Sequence, residues 1–432
     1  MRRKQLLSRR QIHKIAYSRL RLILKNLEAM IEAWGWKQLA EHALDEPDRI
    51  NGPTSAQANL RLFGKHESEV IVTLYRDIHA WCPYCSKIWL WLEIKKIPYR
   101  IKKVTMRCYG QKEEWYLRKV PSGMLPALEL NGHLITESDE ILFALEKHFG
   151  TLGNPINTEQ VSQLRQLERL LFRAWCIWLC SPGLNKRQQQ QAKEQFRKIA
   201  QRFESALQER EGPFLFGYEP ETADLIYIPY LERMNASLAY YKGYLLRQEH
   251  PVINLWFNAL EELEVYRGIQ GDFHTHAHDL PPQMGGCWSD NEPGISDIAS
   301  KIDSGEGLGI YEANWPLDNQ DEELMRKVAL SRVLKHKDKI LNANPSGKES
   351  FDYPLRAALT SLITKSSCNP GINCDSSLRY LRDRISVPRD MPLPAARLLR
   401  TTLEDTATLA GNKQGSPIPI SNRLDQNPIH FR

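Results

Sequence analysis

"HAWCPYCSKIWLWLE", residues 79–93, decides how the rest of the chain is read. Its Cys-x-x-Cys admits three chemistries: a redox pair, part of a metal site, or two small apolar residues heading a buried helix. The flanking residues choose among them. "VIVTLY" (70–75) is a short β-rich apolar run, and "CSKIWLWLEIKKI" (85–97) has helical composition and stops before Pro98. Cys82 therefore falls between a strand and a helix, with Pro83 in a first-turn position where its missing N–H costs little. A sulfur placed there meets unpaired backbone N–H groups and the positive end of the helix dipole, which favours its thiolate. Cys85, one turn further in, is placed to resolve a mixed disulfide formed at Cys82.

Working outward, "YRIKKVTM" (99–106) alternates as a strand and "QKEEWYLRK" (111–119) suits a helix. "PALEL" (126–130) and "HLITES" (133–138) flank Asn131-Gly132, a hairpin signal, and "SDEILFALEKHFG" (138–150) opens on Ser and closes on Gly as helices do. The order β-α-β-α-β-β-α predicts a thioredoxin-like domain, a small mixed sheet with helices on both faces. That context favours redox chemistry for the cysteine pair. No second Cys-x-x-Cys and no His-x3-His follows at zinc-finger distance, so a zinc site lacks its other half and no metal is expected.

The fold class is α+β followed by all-α, in four parts. Apolar residues three and four apart over 11–44, among them Ile15, Leu20, Ile23 and Leu27, make 1–69 a helical N-terminal extension. The thioredoxin-like domain spans 70–150 and an all-helical domain spans 158–270. In 271–432, "DEELMRKVALSRVLKHKDKIL" (321–341) and "PAARLLRTTLEDTATLAG" (394–411) read as helices, while the Pro, Asn, Ser and Gly content elsewhere reads as loops or disorder.

Whole-chain properties bound the rest. A chain of 432 residues exceeds what one core organises, and 42% hydrophobic with 25% charged residues is ordinary for a globular protein. The net charge of +6 is too mild to call for a nucleic-acid partner. Eight irregularly spaced cysteines form no disulfide framework and fit a reducing compartment. With no apolar run long enough for a membrane span, cytoplasm is the default location. The first 25 residues hold no acid; they read as a helix with a solvated basic face, or else as an organelle-targeting segment.

A second signal lies in "VPSGMLPALELNGHLITESDEI" (120–141). Pro126 opens a strand, where it cannot donate into a central ladder and is compatible with a cis bond that leaves the Leu125 backbone groups facing a peptide-like ligand. Glu137 and Ser138 head the next helix, where backbone N–H groups can hold a carboxylate and Glu137 can pair with an ammonium. Ser138 is also an ordinary helix cap, and the two roles are compatible. A small zwitterionic peptide whose cysteine points at Cys82 would satisfy this set.

On these residues the stretch from about 70 to 270 resembles a cytosolic glutathione transferase, most closely the omega class. "KEEWYLRKVPSGMLPALEL" followed by "ITES", then "FLFGYEPETADLIYIPYLERM" and "HPVINLWFNALEEL", carry the resemblance. It implies that Cys82 forms a mixed disulfide with glutathione, the co-substrate. It further implies that Lys112 pairs with the glycyl carboxylate, that Leu125 at Pro126 holds the cysteinyl backbone, and that Glu137 with Ser138 holds the γ-glutamyl end. Cysteine-type members favour thiol transfer and dehydroascorbate reduction, so the expected second substrate is an oxidised small molecule, a small electrophile or a glutathionylated protein. A homodimer is implied as well. Three departures stand out: Cys-Pro-Tyr-Cys is the glutaredoxin form of the motif, Glu221 occupies the helix-cap position ahead of Asp224, and the resemblance leaves residues 1–65 and 271–432 unexplained. Tyr227 and Tyr230 fall on the segment resembling the acceptor site, although both suit a core equally. Conventional conjugation to electrophiles, or a non-catalytic binding module on the same fold, are the competing functions. In the tail, "FHTHAHD" (273–279) reads as a polar loop in preference to a metal or proton relay through His274, His276 and His278, and Cys368 and Cys374 have no assigned role.

Overall fold

The computed structural model describes residues 31–290 and 294–410, and in it five strands form one sheet in the order β1-β3-β2-β4-β5. These are β1 (Leu60–Arg61), β2 (Val72–Asp77), β3 (Tyr99–Val104), β4 (Ala127–Leu130) and β5 (His133–Thr136). β2 runs parallel to β3, with Tyr75 opposite Lys102, and antiparallel to β4, with Tyr75 opposite Ala127. A strand flanked on both edges and covered on both faces buries nearly every residue, which is why "VIVTLY" is continuously apolar. β4 and β5 form the expected hairpin, with Asn131 and Gly132 both at positive φ (51° and 80°) as a two-residue turn requires.

The helices within and beside this sheet are α1 (Trp36–Ala40), α2 (Pro83–Ile94), α3 (Glu114–Lys119) and α4 (Ser138–Phe149). α2 buries Ile88, Trp89, Leu90, Trp91 and Leu92 on all sides, because it is clamped between the sheet and the helices that follow. Those are α5 (Glu159–Cys180), α6 (Lys186–Leu207), α7 (Thr222–Lys242), α8 (Leu246–Glu249), α9 (Pro251–Glu261) and α10 (Glu264–Arg267). α7 is the axis of this layer, with Asp224, Leu225, Leu231, Met234 and Leu238 all fully buried. Its start shows how the departure at Glu221 is accommodated. Asp224 accepts the Glu221 backbone N–H at 3.1 Å, while the Glu221 carboxylate turns away to the Asn154 backbone and side chain at 2.6 and 2.9 Å.

Sequence periodicity misses β1. Its two residues pair antiparallel with β3, and the fully buried Arg61 forks onto Glu93 at 3.0 and 3.1 Å. Glu93 also accepts the hydroxyls of Tyr99 and Thr54 at 2.6 and 2.7 Å, so a satisfied buried network locks the edge strand to the end of α2.

The segment 271–432, expected to be partly helical with loops or disorder in parts, holds seven α-helices among its described residues, with irregular stretches between them. α11 (Phe273–Met284) and α12 (Ile295–Asp303) pack on α7, while α13 (Asn319–Lys335), α14 (Lys337–Ala343), α15 (Lys348–Thr364), α16 (Asp375–Arg384) and α17 (Leu393–Leu409) gather around a second core. Phe351, Leu355, Leu359, Leu378, Leu399 and Leu403 fill it, and Leu39 of α1 joins them. α16 looks polar in sequence because its buried face includes Arg379, which is neutralised by Glu404 of α17 at 2.8 Å and by Asp375 at 3.1 Å. The helices expected over 11–44 lie partly outside the described residues; from Ile31 onward only α1 forms. Among the described residues no helix is long and apolar enough to cross a membrane.

Candidate functional site

Cys82 is the N-cap of α2, in extended conformation with Pro83 as the first helical residue. The helix start leaves backbone N–H groups without intrahelical partners beside the sulfur. Leu125 and Pro126 face it across the sheet end: their peptide bond is cis, and the Leu125 carbonyl accepts from the Cys82 sulfur at 4.0 Å. Cys85 sits one turn deeper and is almost completely buried, and burial pushes its thiol well above the ordinary range. The two cysteines are therefore unequal in environment.

A third group, which sequence reasoning missed, completes the pair. Asp77, the last residue of β2, is fully buried beneath the motif, and its Oδ2 accepts the Trp81 backbone N–H at 2.6 Å. Burial raises its pKa, with Arg76 and Arg233 partly opposing the shift. One carboxylate oxygen and both sulfurs lie within 4.8 Å of one another, close enough for proton exchange or for a shared metal ion. Only the alternation-free burial of β2 hinted at this, since an acid ending a fully buried strand must have a local purpose.

Lys112 lies in the loop before α3, its ammonium donating to the Thr105 carbonyl at 2.9 Å and lying 5.6 Å from the Tyr116 ring centre. Burial lowers its pKa, while both motif cysteines act on it in the opposite direction. Glu137 is exposed and holds φ 64° and ψ 120°, a strained setting for a residue with a side chain, immediately ahead of buried Ser138 at the start of α4. The start of α4 is tied to α2 by Lys87, whose ammonium meets Asp139 at 2.6 Å. Cys82, Cys85, Leu125, Pro126 and Lys112 are thus gathered, and Glu137 with Ser138 is anchored to the same helix.

Both tyrosines are buried in the same core. Tyr227 is a core residue, stacked on Phe203 and donating to the Leu164 carbonyl at 2.5 Å. Tyr230 packs edge-on against Tyr84 of the motif, with the Arg169 guanidinium 4.7 Å from its ring centre. Arg233, one helical turn beyond Tyr230, is buried and donates to the Pro229 carbonyl at 2.6 Å and to the Trp81 carbonyl, holding the peptide that precedes Cys82.

The polar-loop reading of "FHTHAHD" is overturned: these residues begin α11, capped by Asp272, which accepts the Thr275 N–H at 2.9 Å. His274, His276 and His278 are all buried. His274, His278 and Asp303 offer ligand atoms within 4.8 Å of one another, although Asp303 is also engaged by His278 at 2.7 Å and by the Tyr240 hydroxyl at 3.0 Å.

Residues 81–148 match the glutathione S-transferase N-terminal domain, and residues 182–259 match the glutathione S-transferase C-terminal domain. The central segment carries the glutathione S-transferase fold. Curated relatives align with the same region. Glutathione S-transferase DHAR2 of Arabidopsis thaliana is 24% identical over 196 residues, which cover 45% of this chain and 86% of that protein. The probable glutathione S-transferase DHAR1, cytosolic, of Oryza sativa subsp. japonica is 24% identical, covering 43% of this chain and 82% of that one. Among solved structures, a dehydroascorbate reductase from Chlamydomonas reinhardtii superposes with a TM-score of 0.37 at 20% identity, covering 46% of this chain and 93% of that one. Within the matched segment, the Cys-Pro-Tyr-Cys motif stands at the junction of strand and helix that opens the matched N-terminal domain.

Proposed function

We propose that the protein is a glutathione-dependent thiol transferase or reductase of the cysteine-type, omega-like kind, acting on an oxidised small molecule such as dehydroascorbate or on a glutathionylated thiol. The observation that carries this reading is Cys82 at the start of α2, facing the Leu125 carbonyl, with a protonated Cys85 and a buried Asp77 behind it. In this scheme the Cys82 thiolate attacks the glutathione sulfur of a mixed disulfide. An S–S bond forms between Cys82 and glutathione, the acceptor's S–S bond breaks, and the acceptor leaves as a thiolate that takes up a proton. A second glutathione thiolate then attacks the glutathione sulfur, releasing oxidised glutathione and restoring the Cys82 thiolate. In the dithiol branch Cys85 passes its proton to Asp77 and attacks the Cys82 sulfur, so glutathione leaves reduced and a Cys82–Cys85 disulfide remains for two further glutathiones to reduce.

Glutathione would lie along the edge formed by Lys112, Leu125, Pro126, Glu137 and Ser138. Lys112 would take the glycyl carboxylate, the Leu125 backbone the cysteinyl unit, and Glu137 with the Ser138 N–H and hydroxyl the γ-glutamyl end. The strained Glu137 backbone supports that assignment, since strain of about 1–3 kcal/mol is retained where geometry serves a ligand. The test is glutathione-dependent reduction of a glutathionylated peptide by the parent, Cys82→Ser and Cys85→Ser proteins. Cys82→Ser should lose activity to the background rate while Cys85→Ser keeps the monothiol route. Undiminished transfer in Cys82→Ser would overturn the mechanism.

A further inference from the structure

Away from the cysteine pair, a cavity of about 460 Å³ opens between the sheet and the second core. β3 contributes Lys103 to its lining, α13 contributes Arg332, α14 contributes Lys339, α16 contributes Arg384, and the loop before α17 contributes Arg389 and Asp390. Arg389 forks onto both Asp390 oxygens at 2.8 Å, and Arg332 donates to the Asp390 carbonyl at 2.6 Å. The remaining walls are largely apolar, Val333, Ile340, Ile385 and Met391 among them.

Lys103 is the most telling of these groups. It is half-buried, its ammonium meets the Gln57 carbonyl at 3.1 Å, and the charged neighbours acting on it are the cations Arg76, Arg49 and Arg332. Burial, followed by repulsion from Arg76, Arg49 and Arg332, pushes its pKa down to about 7. Arg332 is likewise shifted down, first by burial. A partly buried ammonium that only cations approach is stabilised by an anion bound beside it, and perturbed groups lining a cavity of ligand size mark a binding site.

We infer that this cavity binds a small organic anion, one acidic group held by Lys103 and Arg332 and an apolar body lying on the aliphatic wall. The site is distinct from the Cys82 pocket yet adjoins it. Ile78 and His79 line the cavity, His79 stacks on Trp81 at 4.5 Å, and the Arg389 guanidinium lies 5.6 Å from the Trp81 ring centre. Trp81 immediately precedes Cys82, so the occupant would rest against the loop that presents the cysteine. The inference does not depend on thiol transfer, because it rests only on the charge and shape of a cavity that the C-terminal helices complete.

The experiment is a fluorescence titration of the full-length protein with 8-anilinonaphthalene-1-sulfonate, alongside its uncharged analogue N-phenyl-1-naphthylamine. The parent should bind the sulfonate at least about tenfold more tightly than the neutral compound, since a desolvated charge pair is lost with the latter. Lys103→Met and Arg332→Met should each weaken sulfonate binding about tenfold and leave the neutral compound unaffected. In the absence of ligand Lys103→Met should melt no lower than the parent, whereas a purely structural lysine would lower the melting temperature. Should either variant fail to fold by circular dichroism, Lys339→Met at the exposed rim provides the same comparison. Equal binding of the charged and neutral compounds by the parent, or sulfonate affinities within twofold of the parent in the folded variants, would overturn the inference.

Discussion

Replacing Asp224 tests how the helical layer supports the site. The residue is fully buried, and its carboxylate accepts from the Leu215 N–H at 3.1 Å, the Trp256 indole at 2.9 Å and the Glu221 N–H at 3.1 Å. In Asp224→Ala, the donors on Leu215 and Trp256 lose their partner where both residues are almost wholly buried. Each stranded donor costs about 1–3 kcal/mol, and loss of the cap adds about 1 kcal/mol, so the expected destabilisation is about 4 kcal/mol. Asp224→Asn keeps one oxygen for Leu215 and Trp256 and should lose about 1 kcal/mol near pH 4. The pH dependence separates the two effects further. Burial pushes the Asp224 carboxyl up to about 6 from 3.8, above its unfolded value, so its contribution is fully present below about pH 4 and is lost as pH rises through 6. A shift of roughly two units corresponds to about 3 kcal/mol, which Asn, having no titration, does not lose. Urea unfolding followed by far-ultraviolet circular dichroism at pH 4.5, 5.5 and 7 should therefore show the parent's advantage over Asp224→Asn shrinking or reversing. Equal destabilisation by Ala and Asn, or an advantage that widens with pH, would refute the reasoning. Because α7 also carries Arg233, which holds the Trp81 carbonyl, loss of its cap should lower thiol transfer as well.

Two further outcomes follow from the same geometry. Asp77→Asn should slow the dithiol branch by about a hundredfold while sparing the monothiol branch, as read from single-turnover release of glutathione from the Cys82 mixed disulfide. It should also raise the melting temperature at neutral pH, since burial penalises the native carboxylate. Leu359→Ala, at a fully buried position of the second core, should cost about 2–5 kcal/mol, with amide exchange accelerating over 313–410 before it does in the sheet.

Much of the site was legible because its signals are local. Pro83 after Cys82 marks a helix start, Asn131-Gly132 marks a tight hairpin, and the glutathione transferase resemblance rests on contiguous runs around Lys112, Pro126 and Glu137. Asp77 was not legible, because its meaning depends on a strand end being brought under a cysteine pair by the parallel crossover through α2. The helices over 321–341 and 394–411 were legible from their composition, whereas others in the tail were not, for a related reason. A polar run such as α16 packs into the core because Glu404, on another helix, and Asp375 neutralise Arg379, and "FHTHAHD" becomes helical where its histidines can be buried against α7 and α12.

Local chemistry along the chain therefore determined the element types of the central segment, the place of Cys82 at a helix start and the edge proposed to hold glutathione, since period, caps and turns act over a few residues. Tertiary structure alone decided what surrounds them. It set Asp77 beneath the sulfurs, buried both Tyr227 and Tyr230 in the core with Tyr230 against Tyr84 of the motif, and folded the tail around a second core. It also gathered Lys103, Arg332 and Arg384 from distant parts of the sequence around one cavity. Burial and charge proximity are properties of position in space, and no spacing along a single chain encodes them directly.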